Sequence, residues 1–184
     1  MSKGKPMSYD EANKIAIPLL VKLGLLTYTE KIAIVGSLRR KEEIINDIDF
    51  QIVGDRYYVK RALGREGFYT RSDGEKRQIY SDGGRTGDEI YINCFYTYPE
   101  YWGSALMHNT GPSRYNIRKR YLVKKKGWIL NQYGLYRPIE DEDGYVLSDD
   151  RHQTHKHLMR INTVTEKDIY NELGWEYCKA EDRV

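Results

Sequence analysis

The chain has 184 residues, enough for one domain or two small lobes with a real core. Its 30 Lys and Arg stand against 27 Asp and Glu, a formal charge of only +3, so no bulk polycation is indicated. The longest apolar run falls far short of the ~20 residues that span a bilayer, the amino terminus lacks an apolar segment with a cleavage site, and Cys94 and Cys178 stand far apart, so an intracellular protein, cytoplasmic or nuclear, with reduced thiols is expected, neither secreted nor in a membrane.

The first expected element is a helix over 8–23, with Ser8 as cap, Glu11 completing a capping box, and Ile15, Leu19 and Leu23 on one face. Pro18 should kink it or end it early. Strands are expected at 31–35 and 47–53, with a short helix near 37–44 between them and another helix at 56–67. A glycine-rich hairpin should run through 76–97 and turn near Gly83-Gly84; in its second arm Glu89, Tyr91 and Asn93 alternate with Ile90, Ile92 and Cys94. After Pro99 helices are expected at 100–108, 113–126 and 166–173, and strand-like pieces at 128–130, 133–137, 144–147 and 175–178.

Charge is unevenly spread along this order. Residues 114–126 carry seven cations and no anion, whereas 140–150 hold Glu140, Asp141, Glu142, Asp143, Asp149 and Asp150 against no cation. The basic helix suggests a polyanionic partner. Lys124, Lys125 and Lys126 would also suit a helix carboxyl end as plain solvated charge, but the neighbouring Arg118 and Arg120 favour phosphate contact. His152, His155 and His157 have no Cys or further His at ligand spacing, so a solvated or phosphate-contacting loop is the preferred reading over a metal site. The 17 tyrosines are taken as packing residues with no individual role, and Trp128 and Trp175 as core.

The most chemical stretch is 32–53: an apolar strand, Gly36-Ser37, Arg39-Arg40, then a strand opening on Asp47 and Asp49. Residues two apart in a strand project on one side, so the carboxylates point together while Ile48, Phe50 and Ile52 enter a core. Two such carboxylates repel unless a cation sits between them, and a hard ion such as Mg2+ takes oxygen ligands of this kind. Gly36 and Ser37 let the backbone approach a phosphate, with Arg39 and Arg40 to neutralise it. Asp-x-Asp alone more often marks a turn or a solvated edge; the order and short spacing are what point to nucleotidyl transfer.

Gly36-Ser37-Leu38-Arg39-Arg40 with Asp47-Ile48-Asp49, Thr110-Gly111 with Asn116 and Arg120, Lys126-Gly127-Trp128 with Asn131-Gln132-Tyr133, and Thr165-Glu166-Lys167-Asp168-Ile169 with Gly174-Trp175-Glu176-Tyr177 together resemble the X-family DNA polymerases, the family of DNA polymerase beta. The likeness runs over nearly the whole chain and is greatest to compact viral members. It implies an α/β (α+β) fold: a nucleotidyltransferase palm with a mixed β-sheet over 1–103 and a smaller α/β nucleotide-selecting lobe over 104–184, with no amino-terminal lyase domain. It also implies repair-type filling of short gaps, with gapped or nicked duplex DNA and dNTPs as partners, two Mg2+ ions (Mn2+ substituting) and a monomer.

Carried over by residue, the resemblance makes Asp47, Asp49 and position 93 the catalytic and metal-binding set. Gly36, Ser37 and Arg40 would hold the triphosphate, His108, Thr110 and Gly111 would face the sugar, and Asn116 and Arg120 would read the minor-groove edge of the nascent pair, where acceptors occur on every base pair. Arg118, Arg120, Lys124, Lys125 and Lys126 would bind DNA. Two residues depart from the family pattern. Asn93 stands where the family has its third catalytic aspartate; an amide oxygen can ligate Mg2+ but cannot take the 3′-hydroxyl proton. It reads either as an engineered substitution that traps a complex or as a natural protein with weakened chemistry. Glu89, ~13 Å along the strand, is too far to replace it. His108-Asn109 precedes Thr110 where an aromatic residue is usual, which affects sugar discrimination. The rival readings are a template-independent nucleotidyltransferase, which has no use for Asn116 and Arg120, and a catalytically silent DNA-binding module.

Overall fold

The computed structural model describes residues 4–84, 88–139 and 158–184. The 140–150 acidic stretch, the strand expected at 144–147 and His152, His155 and His157 lie outside the described residues.

The first elements are a two-residue strand β1 (Met7–Ser8), helix α1 (Tyr9–Gly24), strand β2 (Thr29–Val35), the single-turn helix α2 (Gly36–Arg39), β3 (Ile44–Ile45), β4 (Ile48–Gly54) and α3 (Arg56–Arg65). Ser8 and Glu11 form the expected capping box. Pro18 does not end α1: it lies on the exposed face, while Ala12, Ala16, Leu19 and Leu23 are buried on either side of it and hold the helix to the core. The helix expected over 37–44 is one turn long. Lys41 takes a positive φ of 57° that stops it, and Ile44–Ile45 pairs with Met7–Ser8 instead.

Strands β5 (Tyr69–Asp73), β6 (Arg77–Ser81) and β7 (Tyr91–Tyr96) complete a five-stranded mixed sheet in the order β2-β4-β7-β6-β5. β5 was not expected; Tyr-Thr-Arg-Ser-Asp is nearly all exposed and shows no apolar alternation to read. The central pair, β4 and β7, is parallel, with Asp49 beside Asn93 and Phe50 beside Cys94, and the other pairs are antiparallel. Leu19 and Leu23 of α1, Val59 and Leu63 of α3, and Ile48, Phe50, Ile52, Ile92 and Cys94 of the sheet form one core. Strand alternation leaves Asp49, Gln51 and Asn93 for the other face.

The chain continues with a 3-10 turn at Pro99–Tyr101, α4 (Trp102–Thr110), α5 (Ser113–Lys125), strands β8 (Ile129–Asn131), β9 (Gly134–Pro138) and β10 (Leu158–Ile161), α6 (Glu166–Leu173), and a 3-10 turn at Ala180–Asp182. The three strands form an antiparallel sheet ordered β10-β9-β8. Residues 175–178, expected as a strand, are irregular, since Gly174 turns the chain out of α6 in the left-handed conformation. Trp128 and Trp175 are only half-buried.

Two compact units result. One comprises Met1–Pro99, Asn109–Pro112 and Cys178–Val184, and the other Glu100–His108 and Ser113–Tyr177. The end of α4 groups with the first unit for local reasons. Asn109 donates to the buried Gln51 of β4, Arg39 to the Thr110 hydroxyl, and Arg40 to the Thr110 carbonyl. In the second unit Tyr115, Val123, Leu130, Leu135, Ile169, Tyr170 and Leu173 are buried, and the Tyr115 and Tyr170 hydroxyls are hydrogen-bonded to each other.

Candidate active site

The parallel β4–β7 pair brings position 93 beside the two carboxylates. Asn93 Nδ2 donates to Asp47 Oδ2 at 2.9 Å and to Asp49 Oδ1 at 2.7 Å, and its Oδ1 accepts from Arg77 Nη2 at 2.8 Å. Burial raises Asp49 to about 7, helped by the adjacent Asp47 charge and opposed by the Asn93 hydrogen bond and by the Arg77 and Arg40 charges. A Cβ on Gly36 would come within 2.0 Å of Asp49 Oδ2, so the Gly-Ser turn lies directly against this carboxylate.

The donor set fits one divalent ion. Two carboxylates converge, and a cation between them would relieve the repulsion that lifts Asp49. Among the described residues no group of three or more His, Cys, Asp or Glu side chains is placed to hold a metal ion. The third position presents its amide nitrogen to both carboxylates, where an oxygen ligand was expected. Glu89 is engaged elsewhere, with Arg71, Ser81 and the Tyr91 hydroxyl; the Tyr91 bond is the main cause holding its carboxyl below the usual range.

Arg40, expected on the triphosphate, here bonds the Thr110 carbonyl and pairs with Glu42. Thr110 is fully buried, and Gly111 takes a positive φ of 65°. Gln51 and Arg77 were missed in the sequence. Gln51 had a signal, since it continues the Asp47, Asp49 alternation in a strand otherwise apolar. Arg77 had none, because its partnership depends on β6 pairing with β7.

In the second unit three expected residues form one cluster. Asn116 Nδ2 donates to the His108 carbonyl at 2.7 Å, and the Arg120 guanidinium meets His108 Nδ1. Burial and then the Arg120 charge lower His108 to about 4, so it is a neutral imidazole at pH 7. A small pocket here is lined by Met107, His108, Asn116, Arg120 and Asn131, among others. On the same helix Arg118, Lys124 and Lys125 are exposed, and Lys125 packs over Tyr121. Lys126 differs: its Nζ donates to the Leu173 carbonyl at the end of α6 at 3.0 Å. None of the described helices is long and apolar enough to cross a membrane.

A family profile described as DNA polymerase beta thumb matches residues 105–184. The repair DNA polymerase X of African swine fever virus isolate Tick/South Africa/Pretoriuskop Pr4/1996 is 29% identical over 188 residues, covering 99% of this chain and 97% of that protein. The repair DNA polymerase X of strain Badajoz 1971 Vero-adapted is 31% identical over 163 residues, covering 85% of this chain and 83% of that protein. With this identity over most of both chains, and the thumb match on its carboxy-terminal part, the chain belongs to the X family of DNA polymerases.

Proposed function

We propose that this chain is a template-directed DNA polymerase that fills short gaps in duplex DNA as a monomer, with Asp47 and Asp49 as its metal-holding pair and with its rate limited by Asn93. The observation that carries the reading is the convergence of Asp47, Asp49 and residue 93 across the parallel β4–β7 pair. Bound Mg2+, or Mn2+ in its place, would supply compensation for triphosphate and leaving-group charge.

The chain's own groups account for the rest. The Gly36-Ser37 turn offers close backbone approach to phosphate, with Arg40 beside it. Arg39 and Arg40 fix Thr110, and through it the backbone leading to Gly111, which would lie against the sugar. His108, kept neutral and accepting from Arg120 at Nδ1, carries its proton on Nε2 and can donate a hydrogen bond to the sugar or stack on it without adding charge. Asn116 and Arg120, one turn apart on α5, would test the shape of the nascent pair. Arg118, Lys124 and Lys125 would meet DNA phosphates. In place of a carboxylate, Asn93 offers no base for the 3′-hydroxyl proton, and this favours slow turnover.

Single-turnover primer extension on a one-nucleotide gap and on a bare single strand, with Mg2+ or Mn2+, tests the reading. Asn93→Asp should raise the gap-filling rate by ~10²–10⁴, the worth of one catalytic acid/base group. A rate within about twofold of the unchanged protein would remove position 93 from the chemistry. Equal extension of the bare strand would mean template-independent transfer. Tight binding of gapped DNA with no extension by either protein would mean a silent binding module, which the amide donating to both carboxylates favours as the second reading.

A further inference from the structure

We infer that Arg77 is a positioning residue that fixes the Asn93 amide as a hydrogen-bond donor to Asp47 and Asp49, so that the site takes one divalent ion rather than two. This rests on the reading of Asp47 and Asp49 as the metal-holding pair. Arg77 lies on β6 opposite Phe95, and Ile79 lies opposite Asn93, so Arg77 is diagonal to Asn93 on the same face. A long side chain spans that diagonal, and the guanidinium does so at 2.8 Å. Its carbon also rests 5.1 Å from the Phe95 ring centroid, which holds the group in place.

The amide has one satisfactory orientation here. Turned over, its oxygen would face two carboxylates and its NH2 a guanidinium, and all three charge-assisted bonds would be lost. An ion that used the position 93 oxygen would have to displace Arg77 from it. The carboxylate oxygens that the amide does not take are Asp47 Oδ1 and Asp49 Oδ2, and the latter lies against the Gly36 turn. Asp47 and Asp49 would hold a single ion through these oxygens, with Arg77 supplying a second positive charge from beyond the Asn93 amide.

Mn2+ binding by the full chain, counted by electron paramagnetic resonance with a non-hydrolysable dNTP present, tests this without reference to activity. One tightly held Mn2+ per chain is expected in the unchanged protein. Arg77→Met should free the amide to rotate and strengthen a second site by ~10-fold, about the worth of one charge-assisted hydrogen bond. Asn93→Asp combined with Arg77→Met should strengthen the second site further than Asn93→Asp alone. Two equivalent Mn2+ sites in the unchanged protein would overturn the inference, and that count decides the matter if Arg77→Met does not fold. A folded Arg77→Met protein with unchanged ion count and affinities would overturn it as well. If Asp47→Asn leaves the tight ion in place, the underlying metal assignment fails instead.

Discussion

At Gly36 the backbone has a φ of 65°, and an added Cβ would meet Asp49 Oδ2 at 2.0 Å and Asp49 Cγ at 2.9 Å. Alanine there faces two costs: the left-handed conformation, about 1–2 kcal/mol, and displacement of a carboxylate already held by Asn93. Gly36→Ala should therefore lower stability by ~1–3 kcal/mol and weaken Mn2+ binding, read by denaturant unfolding and by ion titration. Gly64 is the control. It lies in α3 with nothing within 4 Å of its added Cβ, so Gly64→Ala should leave Mn2+ binding unchanged and stabilise by up to ~1 kcal/mol. Equal effects at the two positions would mean that Gly36 has no special relation to Asp49. The contrast also marks what single residues disclose. Gly36, Asp47 and Asp49 were legible because their chemistry lies within one strand-turn-strand stretch. Arg77 and the ties from Arg39 and Arg40 to Thr110 were not, because strand register and tertiary folding create them.

Helix α5 was legible almost to the residue, and its basic end invites one test that separates its lysines. Lys124, Lys125 and Lys126 are all exposed, but Lys126 alone among them donates to a backbone carbonyl, that of Leu173. Replacing Lys124 and Lys125 by Ala should flatten the slope of log affinity for gapped DNA against log salt by up to ~0.9 for each phosphate no longer neutralised. Lys126→Ala should hardly change that slope but should cost ~1 kcal/mol of stability by removing its hydrogen bond. Fluorescence anisotropy of labelled gapped DNA across salt concentrations checks the first, and thermal unfolding the second. If all three lysines move the slope equally, Lys126 binds DNA despite its partner. Among elements, long amphipathic helices and the buried strands β4 and β7 could be read from their periodicities. The exposed strand β5 and the two-residue pairs β1 and β3 could not, since each is held mainly by backbone pairing and leaves little apolar pattern.

Across the whole molecule, two groups in different units titrate in opposite senses. Asp49 is raised from 3.8 to about 7 by burial and by Asp47. Its contribution is full below the unfolded value near ~4 and is lost as pH rises towards 7. His108 is lowered from 6.5 to about 4 by burial and by Arg120. Its contribution is present above ~6.5 and is lost as pH falls towards 4. In the metal-free protein the slopes oppose between ~4 and ~6.5; Asp49 lies in the first unit and His108 in the second. The three tryptophans, Trp102, Trp128 and Trp175, all lie in the second unit, so their fluorescence follows the surroundings of His108 most directly. Denaturant unfolding with a chelator, read by tryptophan fluorescence, should show His108→Gln gaining stability on the unchanged protein as pH falls from ~6.5 to ~4. Backbone circular dichroism, which also sees the first unit, should show Asp49→Asn gaining on the unchanged protein as pH rises from 4 to 7, by ~3–4 kcal/mol, and then levelling. The substituted amide can still accept from Asn93 through its own oxygen, so the gain isolates charge. A gain that does not vary with pH would mean that Asp49 is not strained by ionisation, and the electrostatic case for a cation between it and Asp47 would fall with it.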